Sequence, residues 1–248
     1  MRQFTFLQKL MILSLMLLSA QVVVGQNKLT LEPGADIVSR YIWRGADFGN
    51  SPAIQPALEL GFGGFALGAW GSYTTNDGNF QETDLYASYT FNDFLTVMVT
   101  DYFFPDGTMA NNKYFQYDYN NTGHVFEGAI SFNGTEDIPL SLMVAMNFAG
   151  ADARTYENKL QYSNYIELGY SGTVGETAFN CFLGGTLSKP DTEKGETGFY
   201  GPHEGIINIG VTAEKEVAIT DKFSLPVNVS VITNPQQQNI FFVLGISL

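Results

Sequence analysis

From Asp36 to Leu248, apolar and polar side chains trade places at every second position in segments of 8 to 11 residues, and no stretch keeps a 3.6-residue period. Successive side chains of a strand point to opposite faces, so this pattern describes strands with one greasy side and one polar side. In the last segment Ile240, Phe242, Leu244, Ile246 and Leu248 share one face, opposite Asn239, Phe241, Val243, Gly245 and Ser247. Lys222 to Ile232 repeats the arrangement, with Phe223, Leu225, Val227, Val229 and Val231 against Ser224, Pro226, Asn228 and Ser230. So do Asp84 to Phe91 and His124 to Phe132, the latter setting Phe126, Ile130 and Phe132 against Val125, Glu127, Ala129 and Ser131.

Twelve such runs begin near Asp36, Ala53, Gly64, Glu82, Asp93, His124, Ile138, Asn164, Thr177, Gly205, Lys222 and Asn239; merging or splitting one hairpin gives ten or fourteen. Their connections alternate in length. Hairpin-sized turns fall at Gly63-Gly64, Asn92-Asp93, Asn133 to Asp137, Gly172 to Glu176 and Ala218 to Asp221, all rich in turn-forming residues. Longer connections run over Gly45 to Pro52, Thr74 to Gln81, Phe103 to Gly123, Gly150 to Ser163 and Ser188 to Glu204, with Thr233 to Gln238 the one short member of that set. Short turns on one side and long loops on the other are the layout of an antiparallel transmembrane β-barrel, whose sheet must close because a bilayer tolerates no unpaired edge. A secreted β-sandwich shares the alternation but requires no such rhythm of loop lengths, and its strands are shorter. The expected fold is therefore an all-β closed antiparallel barrel of twelve strands, a single domain over residues 26–248, with turns periplasmic and loops extracellular.

In that arrangement the apolar positions face outer-membrane lipid and the polar ones face the lumen. Tyr41, Trp43, Tyr73, Phe91, Phe132 and Tyr170, near strand ends, suit interfacial girdles. The lumen set includes Asp36, Arg40, Arg44, Glu59, Glu82, Asp84, Glu127, Glu167 and Glu214, while almost no charge falls on the outer face, where a carboxylate would cost several kcal/mol. Arg40 and Arg44, the only bases in the set, are expected to be bridged by Glu59, Glu82 and Asp84, because Arg can fork across two acids and unpaired charge is costly in a confined space. Such a cluster either staples the barrel or forms a charged constriction that selects what passes. Strands about 4.8 Å apart and tilted about 40° give a backbone radius of roughly 12 Å, of which side chains take about half. With Trp70, Tyr86 and Met98 narrowing it further, the lumen suits ions and small solutes.

The chain carries 12 basic against 25 acidic residues, a net charge of -13 that excludes nucleic acid as a partner and favours cations or neutral molecules in the lumen. One cysteine allows neither an intramolecular disulfide nor a four-ligand zinc site. Residues 1–25 join a charged start, with Arg2 and Lys9, to an apolar run from Leu10 to Val24, too short and too interrupted to span a bilayer. They read as a secretory signal peptide cleaved before Gln26, and place the protein in a bacterial outer membrane.

The stretch Ser39-Arg40-Tyr41-Ile42-Trp43-Arg44-Gly45, followed by Pro52-Ala53-Ile54-Gln55, resembles the opening of the TorF-type porin family of small bacterial outer-membrane barrels, Ser-Asp-Tyr-x-Phe-Arg-Gly with a later Pro-Ala-x-Gln. Gly68 to Ser72, Glu82 to Tyr86, Tyr102 to Pro105 and Tyr165 to Glu167 match in order, so the resemblance spans most of the mature chain. It implies a pore. Arg40 stands where that family has Asp and Pro56 where it has Gly, and the first changes the sign of one lumen charge.

Two other readings compete. The aromatic loops, with Tyr114, Phe115, Tyr117, Tyr119, Phe199 and Tyr200, suit a plugged structural or adhesion barrel that binds an external ligand. An outer-membrane lipid hydrolase would need His124 to meet a serine such as Ser72 or Ser88 across the rim, which no motif arranges, so the chain is read as a non-enzyme. There is no phosphate-cradling glycine motif, no two-histidine metal site and no ordered ligand spacing among the loop acids, and no cofactor is expected.

Overall fold

The computed structural model describes residues 28–76, 80–105, 112–119 and 121–248; the expected signal peptide lies outside them. The strands are β1 (Leu29–Val38), β2 (Ile42–Trp43), β3 (Ala46–Asp47), β4 (Ala53–Phe62), β5 (Phe65–Thr74), β6 (Gln81–Phe91), β7 (Leu95–Phe103), β8 (His124–Phe132), β9 (Leu140–Gly150), β10 (Asn164–Val174), β11 (Thr177–Thr186), β12 (Gly205–Thr220), β13 (Phe223–Asn234) and β14 (Asn239–Ser247). All but β2 and β3 form one closed antiparallel barrel, each strand beside its chain neighbours and β14 returning to β1. Closure is made by Ile37 opposite Ile246 and Val38 opposite Gly245, and extended where the Leu248 N–H donates to the Ala35 carbonyl at 2.9 Å. The tight turns gather at one end of the barrel and the long connections at the other.

The alternation holds around the wall. Leu58, Leu85, Ile130, Val144, Leu168, Val231 and Phe242 look outward and are exposed, whereas the intervening positions are covered. On β8, Glu127 is 1% exposed and Ile130 is 56% exposed, the reverse of a water-soluble protein. Cys181 is exposed on the outward register, between Phe179 and Leu183.

Eleven barrel strands begin within two residues of the expected positions, but the first does not. It runs from Leu29 to Val38 rather than starting near Asp36, and the chain then turns inward. Pro33 and Gly34 disguise this strand. The proline is tolerated because this part of β1 pairs only with β4, Pro33 lying opposite Leu58, so its missing N–H falls on an edge. Residues 39–51 consequently form an infolded segment whose core is the β2–β3 hairpin, with Trp43 opposite Ala46. Its two turn residues, Arg44 (φ 50) and Gly45 (φ 77), both take the left-handed conformation that a two-residue type I′ turn requires. Tyr41 and Trp43 thus lie within the barrel and are not girdle residues; Tyr41 is buried against Trp70 and Phe48.

The turn glycine is also a contact point. A Cβ on Gly45 would stand 2.0 Å from the Ile207 carbonyl oxygen, and the left-handed conformation adds about 1–2 kcal/mol for any other residue. Gly45→Ala should therefore unseat the hairpin without opening the barrel: trypsin is expected to reach Arg40 and Arg44 while the heat-modifiable gel shift of the folded form persists.

Candidate functional site

The hairpin tip brings Arg44 to the inner wall. Its guanidinium forks onto the Glu127 carboxylate, with Nη2 donating to Oε1 at 2.9 Å and Nη1 to Oε2, and Nη1 also donates to the Tyr200 hydroxyl. Glu127 further accepts from the Tyr102 hydroxyl at 3.1 Å and the Tyr200 hydroxyl at 3.3 Å. The guanidinium plane lies between Trp43 and Tyr165, 4.4 Å from each ring centroid. Planarity and a five-donor fork allow Arg, and not Lys, to satisfy a carboxylate edgewise while stacking on two rings. Burial opposes the Arg44 charge, but the Tyr200 oxygen and the Glu127 carboxylate outweigh it and its pKa rises. For Tyr200 burial outweighs the attraction of Arg44, so its hydroxyl is held protonated as a donor.

The wall beneath is shaped to hold this stack. Tyr165 is fully buried, and its ring lies over Gly184, where a Cβ would come within 2.0 Å of the hydroxyl. Tyr165 donates to Glu167, and Asn208 Nδ2 donates to both, at 2.9 Å to the Tyr165 hydroxyl and 3.0 Å to Glu167 Oε2. A second loop turns in beside it, where Asp152 accepts from Asn147 Nδ2 and the Ser163 N–H, each at 3.1 Å. Tyr200 is buried as well, so the Ser188 to Glu204 connection folds inward instead of displaying that aromatic outside.

The expected partners of the two arginines are not the observed ones. Because β1 ends at Val38, neither arginine lies on the wall facing β4 and β6. Arg44 pairs with Glu127 on β8, and Arg40 donates to Asp47 and Asn50 within its own segment. Glu82 and Asp84 instead lie near Tyr41. Among the described residues neither pairs with a cation, and Glu82 Oε2 and Asp84 Oδ1 have no partner. Burial, followed by the Glu82 charge, holds the Tyr41 hydroxyl well above its usual pKa. Glu59 accepts from the Tyr86 hydroxyl at 2.7 Å, and Trp70 packs on Tyr41, so these three sit on the inward register as expected. Glu214 lies exposed towards the short-turn end. The contributions of Tyr102, Tyr165 and Tyr200 went unforeseen; inward parity on β7 and β10 marks the first two, and only the Gly198-Phe199-Tyr200-Gly201 run hints at the third.

Two spaces flank the stopper. Towards the short-turn end a polar cavity of about 710 Å³ is lined by Thr30, Glu32, Glu59, Ser88, Thr90 and Asp93, with Lys28 at its edge. Towards the long-loop end an aromatic recess of about 420 Å³ has Arg44 at its base.

His124 does not face a serine. It is buried on the outer wall, with Nδ1 2.7 Å from Asp101 Oδ1 and Nε2 2.6 Å from the Tyr114 carbonyl oxygen, and it stacks on Phe103 and Tyr117. It straps the loop onto the barrel exterior.

Residues 24–183 match a bacterial family described as "Bacterial protein of unknown function (Gcw_chp)". No curated protein matches the chain. A solved structure of Salmonella typhi OmpF in complex with daunomycin is similar over 89% of this chain and 97% of that one, at 8% identity and a TM-score of 0.36.

Two outcomes follow from this geometry. Arg44→Met strands a buried carboxylate and should cost about 3–5 kcal/mol, whereas Arg44→Met combined with Glu127→Met should cost less than the single change; urea midpoints of the folded, heat-modifiable form decide it. His124→Ala should release the strap, raising the rate of tryptic cleavage at Lys113 about tenfold or more through loss of two strong hydrogen bonds.

Proposed function

The chain belongs to the Gcw_chp family of bacterial proteins, and we propose that it is an outer-membrane barrel that keeps a narrow path for ions and small solutes shut with its own hairpin. The observation that carries this reading is the Arg44–Glu127 pair, a buried latch on an infolded hairpin in a barrel that has a polar cavity at its short-turn end and an aromatic recess, lined by Arg44 itself, at the other. A barrel that served only as a scaffold could fill its centre with packed apolar side chains, which are at least as stabilising as a buried ion pair. An ion pair on a two-strand hairpin, by contrast, can be exchanged for water when the hairpin lifts.

The exposed apolar wall supports placement in a bilayer, because that much uncovered greasy surface is unstable in water and the closed ladder leaves little backbone unsatisfied in hydrocarbon. The inward acids Glu32, Glu59 and Asp93 outnumber Lys28 in the lower cavity and favour cations. The residues that resemble the opening of TorF-type porins, Ser39 to Gly45, are those that build the stopper.

Planar-bilayer recording tests the reading. The parent protein should be mostly closed, with rare, small, cation-preferring openings. Arg44→Ala with Glu127→Ala should raise the open time at least tenfold while the barrel stays folded. Silence of the double variant would leave a plugged structural barrel as the account.

A further inference from the structure

The recess above the latch is a binding site in its own right, and we propose that it takes a neutral, flat aromatic molecule of one or two rings carrying a single hydrogen-bonding group. This goes beyond the closed path proposed above and does not depend on it, because the recess belongs to the barrel with its hairpin seated and needs no lifting of the hairpin.

Three observations lead there. The first is composition: Trp43, Phe48, Phe80, Phe104, Phe199 and Tyr200 line the space. Five of them are only half-buried, so their rings are left with a concave apolar surface that none of the described residues covers. Isolated exposed rings are ordinary, but a concave set is what a ligand pocket presents, and about 420 Å³ falls within the range such pockets occupy. The second is ring geometry. Phe48 and Phe104 lie nearly parallel, with 11° between planes, and Trp43 meets Phe199 at 82°, so stacked and edge-on partners both await a planar guest. The rings are braced from behind, Phe48 and Phe80 on Tyr41, and Trp43 on Tyr102, so the walls are preformed and little ordering cost falls on binding.

The third is charge. Arg44 is the one charged residue among the described lining residues, and its donors are directed to Glu127 and Tyr200 while its faces are covered by Trp43 and Tyr165. A cation already neutralised by a forked carboxylate has little left for an anionic ligand, and no acid among the described lining residues would hold a cationic one. Among the described lining residues, the polar side chain that remains is the Gln237 amide. A single hydrogen-bonding group on the ligand satisfies it; a polyhydroxylated molecule would leave most of its hydroxyls unpaired against phenyl rings.

The chain's two tryptophans, Trp43 in the recess and Trp70 deeper in the lumen, make a direct readout. With the Trp70→Phe protein folded in detergent, Trp43 fluorescence is titrated with 4-nitrobenzyl alcohol, a neutral quencher, and in parallel with 4-nitrobenzoate and 4-nitrobenzylammonium. Saturable quenching by the alcohol, with affinity at least tenfold above either ion, is expected. Phe199→Ala, at the rim of the recess, should weaken it about tenfold, the loss of one good aromatic contact. The same gel shift in both proteins shows that the barrel is intact, and Phe104→Ala gives a second wall residue should Phe199→Ala fail to fold. Quenching that rises linearly with the alcohol and ignores both substitutions is partition into detergent and overturns the proposal. Preference for either ion overturns the assigned ligand class.

Discussion

The interaction on which the rest depends is the ladder of backbone hydrogen bonds that runs around the barrel and closes at a short β1–β14 seam. Outward side chains such as Leu85, Val144 and Phe242 stay uncovered, so the peptide groups beside them cannot rely on water. A flat or open sheet would leave two edges in that surrounding. Joining β14 to β1 closes the sheet and confines the remaining edge to the start of β1, and the apolar exterior then becomes compatible with hydrocarbon instead of being an aggregation hazard.

Closure creates the second problem, which is what to do with the inside. Twelve strands enclose more room than their own inward side chains fill, and those side chains include several carboxylates. The chain deals with its two ends differently. At the short-turn end the acids face a cavity that can hold water. At the long-loop end the hairpin, the Ser188 to Glu204 connection and the loop around Asp152 fold inward and provide partners for buried polar groups. Arg44 is the centre of this filling because it can fork onto Glu127 and stack between Trp43 and Tyr165 at once. Its left-handed backbone is a local cost that these contacts offset. Glu82 and Asp84 have no cation among the described residues, and each keeps one buried carboxylate oxygen without a hydrogen-bond partner.

Much of the wall was legible. Period-two alternation located eleven strands and separated their faces, because a strand's two sides are set by chirality and by nothing further away. Glu59, Tyr86, Glu127 and Glu167 appear inside for the same reason. The first strand is hidden because Pro33 and Gly34 have turn chemistry, and the apparent alternation through Tyr41 and Trp43 runs past the true strand end into the stopper. Arg44 at the first position of a type I′ turn has none of the usual Asn or Asp signature, so only Gly45 marked the bend.

The sequence by itself determined that this chain forms strands, that each has a lipid-like and a water-like side, and that short and long connections alternate, since all of these follow from neighbouring residues and backbone sterics. Only the tertiary structure decided that Arg44 meets Glu127, 83 positions along the chain, that Tyr200 arrives from the far side to join them, and that an aromatic recess stands open above. Those encounters depend on how far each loop folds into a space that exists only after the barrel has closed, and no local pattern of side chains encodes that distance.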